Sequence, residues 1–443
     1  MRRRNRFLLV VAGLSLATPC AQAWEHHPLI TKPILATLPD VRDAAPVPAT
    51  PLETFLLAHE AELAALLAGE EAWARQHLPA YAPRPDALAF QATGNPDDVL
   101  RRFFEAIRIN PNTKTPLYLS PLAQGETNKP LLDVSEVTLL DQADYLAVFD
   151  FEALAPGDLA APIDIAATAS NEPDYGMDTG LFVDNGTAFG QYYGFGEQAF
   201  GNADLDYGTQ APFHMGFYHE APIIFLFAGF LKETYPEARI HLYKSLSQFA
   251  FAHGEDYWGW RFMGWGLHYV ADLSMPYHTT ALPGHSAIRM LIIYLLDLLG
   301  WPRFVDNSMQ LVSNRHMALE RYQGITLAQA CAREDSKLPA LAALRKEQDI
   351  PAYKDTLPRE KLAKCAHDMA ARTDANIARL MPSRFVCDPS VELGDVPEVD
   401  RIVERVADEH GMAGLLKLDR LLAEALELFG VYGRSYVQAI LSD

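Results

Sequence analysis

Cysteine is scarce: four residues in 443, Cys20 near the N-terminus and Cys331, Cys365 and Cys387 in the last third. That number excludes a small disulfide-stapled scaffold. Among the three late thiols one pair is free to form a disulfide, with the pairing open. Basic residues are in the minority, 37 Lys and Arg against 57 Asp and Glu, so the chain carries a formal charge of −20. A basic footprint for double-stranded nucleic acid is therefore missing. Long hydrophobic runs are missing too. Past the N-terminus the longest, Ala221 to Leu231 and Met290 to Leu296, fall short of the roughly 18 residues a membrane-spanning helix needs. They read as buried helical segments, and no transmembrane segment is expected. No GxxxxGK[ST] phosphate loop, no Ser-His-Asp nucleophile signature and no internal repeat is found.

What is there begins with a leader. Arg2, Arg3, Arg4 and Arg6 precede the apolar stretch Phe7 to Ala17 and then Ala21-Gln22-Ala23, the three parts of a secretory signal peptide. Cleavage after Ala23 would leave a chain beginning at Trp24, remove Cys20, and shift the charge from −20 to −24. The expected compartment is secreted or periplasmic. Leu52 to His77 reads as one helix, 136–151 as a minor and ambiguous element, and the Gly-, Tyr- and Phe-rich stretch Thr187 to Gln210 as a long surface loop. From Pro222 onward helical periodicity recurs at 222–233, 236–253, 256–275, 285–299, 306–322, 359–380, 399–412 and 414–440, so the fold class is mostly α.

Histidine placement carries the chemistry. Eight of the 14 histidines lie between His214 and His316, under a quarter of the chain, and such clustering points to a metal. In GWGLHYVADLSMPYH, His268 and Asp272 are four apart on one helical face, and His278 follows two residues after the helix-ending Pro276. Two helices later NRHMALE repeats the spacing with His316 and Glu320. Each pair alone suits an ordinary salt-bridged helix; burying all of them together without a cation would be expensive. For His241, His253 and His285 the reading is an ordinary satisfied polar group.

With Trp24 as first mature residue, H-x3-D-x5-H with a Pro two before the last His, and a later H-x3-E, the chain resembles the zinc-dependent phospholipase C and single-strand nuclease superfamily. The resemblance covers chiefly Trp24 to about Thr31 and Asn171 to Glu320. It implies a multi-helix phospholipase C/nuclease-like domain over 24–322 with insertions, a helical extension over 323–443, and three zinc ions. It also implies that Trp24 binds through its free amine and carbonyl, that His27 is the early histidine with His26 as its neighbour and substitute, and that Asp272 bridges two ions. His268, His278, His316 and Glu320 match further ligands. The remaining aspartate and histidine match best as Asp174 and His214, with Asp178 and the pair Asp206 and His219 as alternatives; Asp174 would also orient or deprotonate the attacking water.

Zinc held by nitrogen and carboxylate ligands suits phosphodiester hydrolysis, since it neutralises phosphate and acidifies bound water. The expected substrate is a phospholipid at a membrane surface, phosphatidylcholine first. The alternatives are a single-strand nuclease and a non-catalytic metal-binding module. In the 187–210 loop, Phe189, Tyr192, Tyr193, Phe195, Phe200 and Tyr207 offer either interfacial contacts and a cage for a choline ammonium, or a loop packed back on the protein.

Overall fold

The computed structural model describes residues 24–122, 129–140, 146, 149–203, 206–346 and 348–442. The leader expected over Met1 to Ala23 lies outside these residues. Regular structure among them is mostly helical, as the periodicity predicts. Two short antiparallel ribbons accompany it, Val47–Pro48 with Leu159–Ala160 and Tyr118–Leu119 with Glu152–Ala153. The architecture rests on helices α1 (His27–Leu35), α2 (Pro162–Ala169), α3 (Pro222–Phe227), α4 (Pro236–Ala252), α5 (Asp256–Asp272), α6 (Ala287–Leu298), α7 (Arg303–Ala332), α8 (Lys364–Leu380) and α9 (Ile402–Leu441).

Helix α5 is the axis of the protein: every residue from Tyr257 to Asp272 is buried. A helix with aromatic and apolar residues around its whole circumference is stable only when surrounded, and α2, α4 and α9 surround this one. On one side Phe262 meets Phe55, Trp258 and Trp265 at ring separations of 5.9, 5.2 and 5.2 Å. On another, the buried Arg261 pairs with Glu172 at 2.7 Å, and the Trp265 indole also donates to Glu172 at 2.5 Å. These bonds satisfy the charged Arg261 side chain that α5 carries into the core. Gly264 sets the distance to α2, because a β-carbon there would stand 2.5 Å from the Ala166 carbonyl. The close approach brings the end of α2 alongside His268.

Helix α7 runs unbroken across the boundary expected at 322, and the core continues with it. One hydrophobic cluster extends from Trp24 to Ile440, and the Tyr436 hydroxyl on α9 donates to the Ile240 carbonyl on α4 at 3.1 Å. The described residues after 322 are thus mostly helical and share the core of the first half. The single helix expected over Leu52 to His77 is two, Leu52–Ala58 and Glu60–His77. At the break His59 leaves helical geometry (φ −130°, ψ 24°) and its Nε2 lies 3.2 Å from Glu255. The two C-terminal segments expected at 399–412 and 414–440 are two helices that meet at a kink, where Gly411 leaves helical geometry (φ 61°, ψ −168°); α9 denotes both.

Candidate metal centre

Four parts of the chain converge at the C-terminal end of α5. The first is the segment leading into α1. The Trp24 indole is fully buried and donates to the Ala271 carbonyl and to Ser274 Oγ, 3.0 Å each, so Trp24 packs beside Asp272. Glu25 pairs with Arg321 on α7, and Gly324, one turn further, leaves room for the Glu25 carboxylate that a side chain would fill. The His27 amide donates to Asn171 Oδ1 at 3.0 Å, which joins the start of α1 to the turn following α2. That turn carries Asp174. The third part is the helical turn Ala211–His214, and the fourth is α7, with His316 and Glu320.

Three buried groups result: His27, Asp174 and His268; His214, His268 and Asp272; His278, His316 and Glu320. In each, one donor atom per residue lies within 4.8 Å of the others. The first two groups share His268, and Asp272 ties them together. Its Oδ1 lies 3.3 Å from His27 Nε2, while its Oδ2 lies 2.9 Å from His214 Nδ1 and 3.4 Å from His268 Nε2. Asp174 stands 3.5 Å from His27 Nδ1 and 3.6 Å from His268 Nε2. In the third group Glu320 Oε1 is 2.7 Å from His316 Nε2 and 3.8 Å from His278 Nε2.

The backbone fixes which ring nitrogens point inward. His268 Nδ1 lies 2.9 Å from the Ser170 carbonyl and His278 Nδ1 3.0 Å from the His214 carbonyl. A carbonyl only accepts, so both Nδ1 atoms carry the proton and both Nε2 atoms present a lone pair to the centre. Burial also favours neutral rings: it pushes His268 down to about 4, helped by His27, and pushes His278 and His316 below the usual imidazole value. Burial drives the Glu320 carboxyl well above its usual range, with Glu25, Asp174 and Asp272 adding to the effect. His214 goes the other way. Burial would lower it, but Asp178 and Asp272 outweigh burial and raise it to about 10.

The donor atoms of these groups also suit cations. His27 Nδ1, His214 Nε2, His278 Nε2, His316 Nε2 and Glu320 Oε1 are buried with no hydrogen-bond partner among the described residues. His316 and Glu320 approach to 2.7 Å without the alignment of a hydrogen bond. Buried polar atoms left this way are costly unless something else binds them. Donor atoms within 4.8 Å of one another suit a cation between them, and nitrogen with carboxylate oxygen suits a divalent ion of borderline hardness. Three buried groups able to hold metal ions therefore stand at one end of α5.

Of the residues singled out in the sequence, His27, Asp174, His214, His268, Asp272, His278, His316 and Glu320 come together in these groups, with Trp24 packed beside them. The alternatives fall elsewhere. His26 turns its ring edge-on to Phe149, 4.5 Å away, and His219 Nε2 lies 2.7 Å from the Arg359 carbonyl. Asp206 opens the turn Asp206–Thr209 and belongs to none of the groups. Asp178 is a supporting residue: buried, 2.6 Å from Arg239 Nη2, accepting from the Tyr269 hydroxyl at 2.5 Å, and 3.5 Å from His214 Nε2. Arg239, Tyr269, Asn171 and the Ser170 carbonyl went unrecognised in the sequence. Only tertiary contact gives them their roles, and no spacing announces them.

Two further expectations resolve. The aromatics of the 187–210 loop turn inward: Tyr193 and Phe195 are buried with Phe182, Phe213 and Tyr235, Phe189 packs on that cluster, and Phe200 rests 5.0 Å from Phe217. Tyr192 is exposed, and the Tyr207 side chain lies outside the described residues. An aromatic cage in this loop is thus replaced by a loop packed on its own rings. Cys331, Cys365 and Cys387 are all free thiols. Comparison with protein-family models, curated proteins and solved structures finds no match to this chain, so the metal-ligating geometry itself carries the functional reading.

Proposed function

We propose that the protein is a secreted or periplasmic zinc-dependent phospholipase C that cleaves the glycerol-phosphate ester of phosphatidylcholine-type lipids to diacylglycerol and the phosphorylated headgroup. The observation that carries the reading is the two-sided use of Asp272, whose oxygens face His27 and His214 separately, with a third His-His-Glu group adjacent. Several closely placed ions on a shared carboxylate suit displacement at phosphorus better than a single structural ion does. Trp24, His27 and Asp272 would hold one zinc; Asp174, His214, His268 and Asp272 a second; His278, His316 and Glu320 a third. Bound zinc supplies charge for the phosphoryl oxygens, lowers the pKa of water from about 15.7 to about 7, and stabilises the departing alkoxide.

The chain's own residues supply the rest. All of these side chains are buried, with Asp174, Glu320 and His316 at 5, 4 and 6% exposure against 0% for His27, His268, Asp272 and His278, so the side of Asp174, Glu320 and His316 is the one nearer solvent. Asp174 is the one carboxylate of the first group on that side, placed to orient water and accept its proton. Asp178, held by Arg239 and Tyr269, keeps His214 in place. The choice of a lipid phosphodiester over a nucleic acid rests on charge, since a chain at −20 repels a polyanion along most of its surface.

The test pairs two substrates. Processed protein beginning at Trp24 is given phosphatidylcholine and single-stranded DNA, with and without chelator, after metal analysis. Phosphocholine release that chelator abolishes and zinc restores is the expected result. Nucleotide release instead of phosphocholine, or turnover of neither substrate by zinc-loaded protein, overturns the reading.

A further inference from the structure

Helix α6 is apolar almost throughout, AIRMLIIYLLDL, yet only Ile293 of its twelve residues is buried. Helix α3, PIIFLF, buries only Ile224. The two helices lie together, with Phe227 and Tyr294 rings 6.1 Å apart. Ten of the sixteen large apolar side chains exposed in the described chain fall between Ile223 and Phe304, which makes one patch rather than scattered exposure. Leu226, Ile288 and Leu299 are 74, 72 and 73% exposed. Ile288, Ile292, Leu295 and Leu299 recur at helical spacing and form a continuous stripe. A contiguous apolar face of this kind in water marks a docking site.

We propose that this face docks the protein on a phospholipid surface. The inference rests on the phospholipase reading for its lipid occupant and adds where the lipid surface is met. Charge supports that occupant. Within 222–233 and 287–306 the basic residues Lys232, Arg289 and Arg303 are all exposed, while the acids Glu233, Asp297 and Asp306 are all half-buried, so the exposed charge beside the stripe is basic in a chain whose total is −20. Long cationic side chains beside an apolar stripe reach the phosphate level of a bilayer while the stripe enters the acyl boundary. Trp301, 57% exposed at the junction of α6 and α7, has the amphipathic ring favoured at that level. A second copy of the chain is a poorer occupant, because it sets cation against cation and one −20 body against another. No described helix is long and apolar enough to cross a membrane, so the contact is interfacial.

The face connects to the metal centre through α7. That helix begins beside Trp301 and carries His316 twelve residues after Phe304, about 18 Å along its axis at 1.5 Å per residue. Docking at α3 and α6 thus holds the centre a fixed short distance from the lipid surface.

The experiment measures partition of the full processed chain onto phosphatidylcholine vesicles by flotation, separately from phosphocholine release. The comparison is a variant with Leu226→Ser, Ile288→Ser and Leu299→Ser, all at exposed positions outside the metal groups. Partition is expected to fall at least about tenfold in the variant, as loss of inserted apolar side chains requires. Zinc content, thermal unfolding and hydrolysis of a monomeric short-chain phosphatidylcholine should stay unchanged. Equal partition of variant and wild type, or no partition of the wild type, overturns the docking face. So does a stable dimer in sedimentation that the same substitutions split. Partition without phosphocholine release would support the docking face and overturn the phospholipase reading alone; hydrolysis of monomeric lipid without partition would do the reverse.

Discussion

His27 and Asp272 stand 245 residues apart in the chain and 3.3 Å apart in the protein, Nε2 to Oδ1, both fully buried. That contact joins the segment after Trp24 to the last residue of α5. It leaves Asp272 Oδ2 for His214 and His268. One carboxylate thereby serves two donor groups, and the positions of Trp24 and His27 become inseparable from that of the central helix.

Replacement of Asp272 by Asn tests the shared carboxylate. The amide keeps the size but removes the charge and one acceptor, so neither neighbouring group keeps its bridge. Metal analysis should show loss of bound zinc, and phosphodiester turnover should fall by more than about 100-fold, beyond the usual effect of altering a supporting partner. Full metal content and full turnover in Asp272→Asn would remove this residue from the centre.

Asp174 and Asp178 sit in one short stretch, NEPDYGMD, and separate by function. Asp174→Asn should lower metal content and turnover while leaving the unfolding free energy of the metal-free protein nearly unchanged. Asp178→Asn should destabilise the fold by about 3 to 5 kcal/mol, because it strands the buried Arg239 guanidinium. Denaturant titrations of both metal-free variants measure the difference. The opposite pattern would make Asp178 the ligand and Asp174 the structural residue.

How much of this was legible follows from where each residue gets its role. The pairs His268 with Asp272 and His316 with Glu320 repeat at four residues, and helix geometry alone puts each on one face. His214 and Asp174 lack any such spacing, since 40 residues and an aromatic loop intervene, and only packing of that loop on Phe182, Phe213 and Tyr235 closes the distance. The helices of the second half were visible as periodicity, but the break at His59 was not, because a long-range contact to Glu255 produces it. The apolar runs at 221–231 and 290–296 were read as buried. The structure fully buries only Ile224 and Leu231 of the first and Ile293 of the second, and hydropathy cannot distinguish a helix buried in protein from one left partly uncovered at the surface.

Cleavage before Trp24, as proposed, is itself testable. Trp24 is fixed by its indole bonds to Ala271 and Ser274, and Glu25 by Arg321, so this segment is anchored at the C-terminal end of α5. Protein carrying a methionine or tag ahead of Trp24 presents an amide in place of the amine and should bind less zinc, with turnover reduced by more than about tenfold. Removal of the extra residues by a protease that leaves Trp24 first should restore both. Equal metal content and activity before and after removal would disprove coordination by that terminus.

Away from the metal groups, His241 on α4 gives a pH-dependent contribution to stability. Its Nδ1 lies 2.7 Å from Glu70 and its Nε2 3.6 Å from Asp355, and Trp73 stacks on its ring at 3.5 Å. Burial would lower the His241 pKa, but hydrogen bonds to Asp355 and Glu70 outweigh it and the net shift is upward from 6.5. The stabilisation is therefore complete below pH 6.5 and fades as pH rises through the raised value. Asp355 shifts downward. Burial opposes that, and His241 with Lys244 overcome it, so its share is present above 3.8 and lost in acid. His241→Gln should lower the unfolding free energy by about 1.5 to 3 kcal/mol at pH 6, the range for a charge-assisted hydrogen bond. At a pH above the raised value the same substitution should have a much smaller effect, because the imidazole has then lost its charge in the wild type. An equal loss at both pH values would mean that packing against Trp73, and not the ion pair, is what His241 contributes.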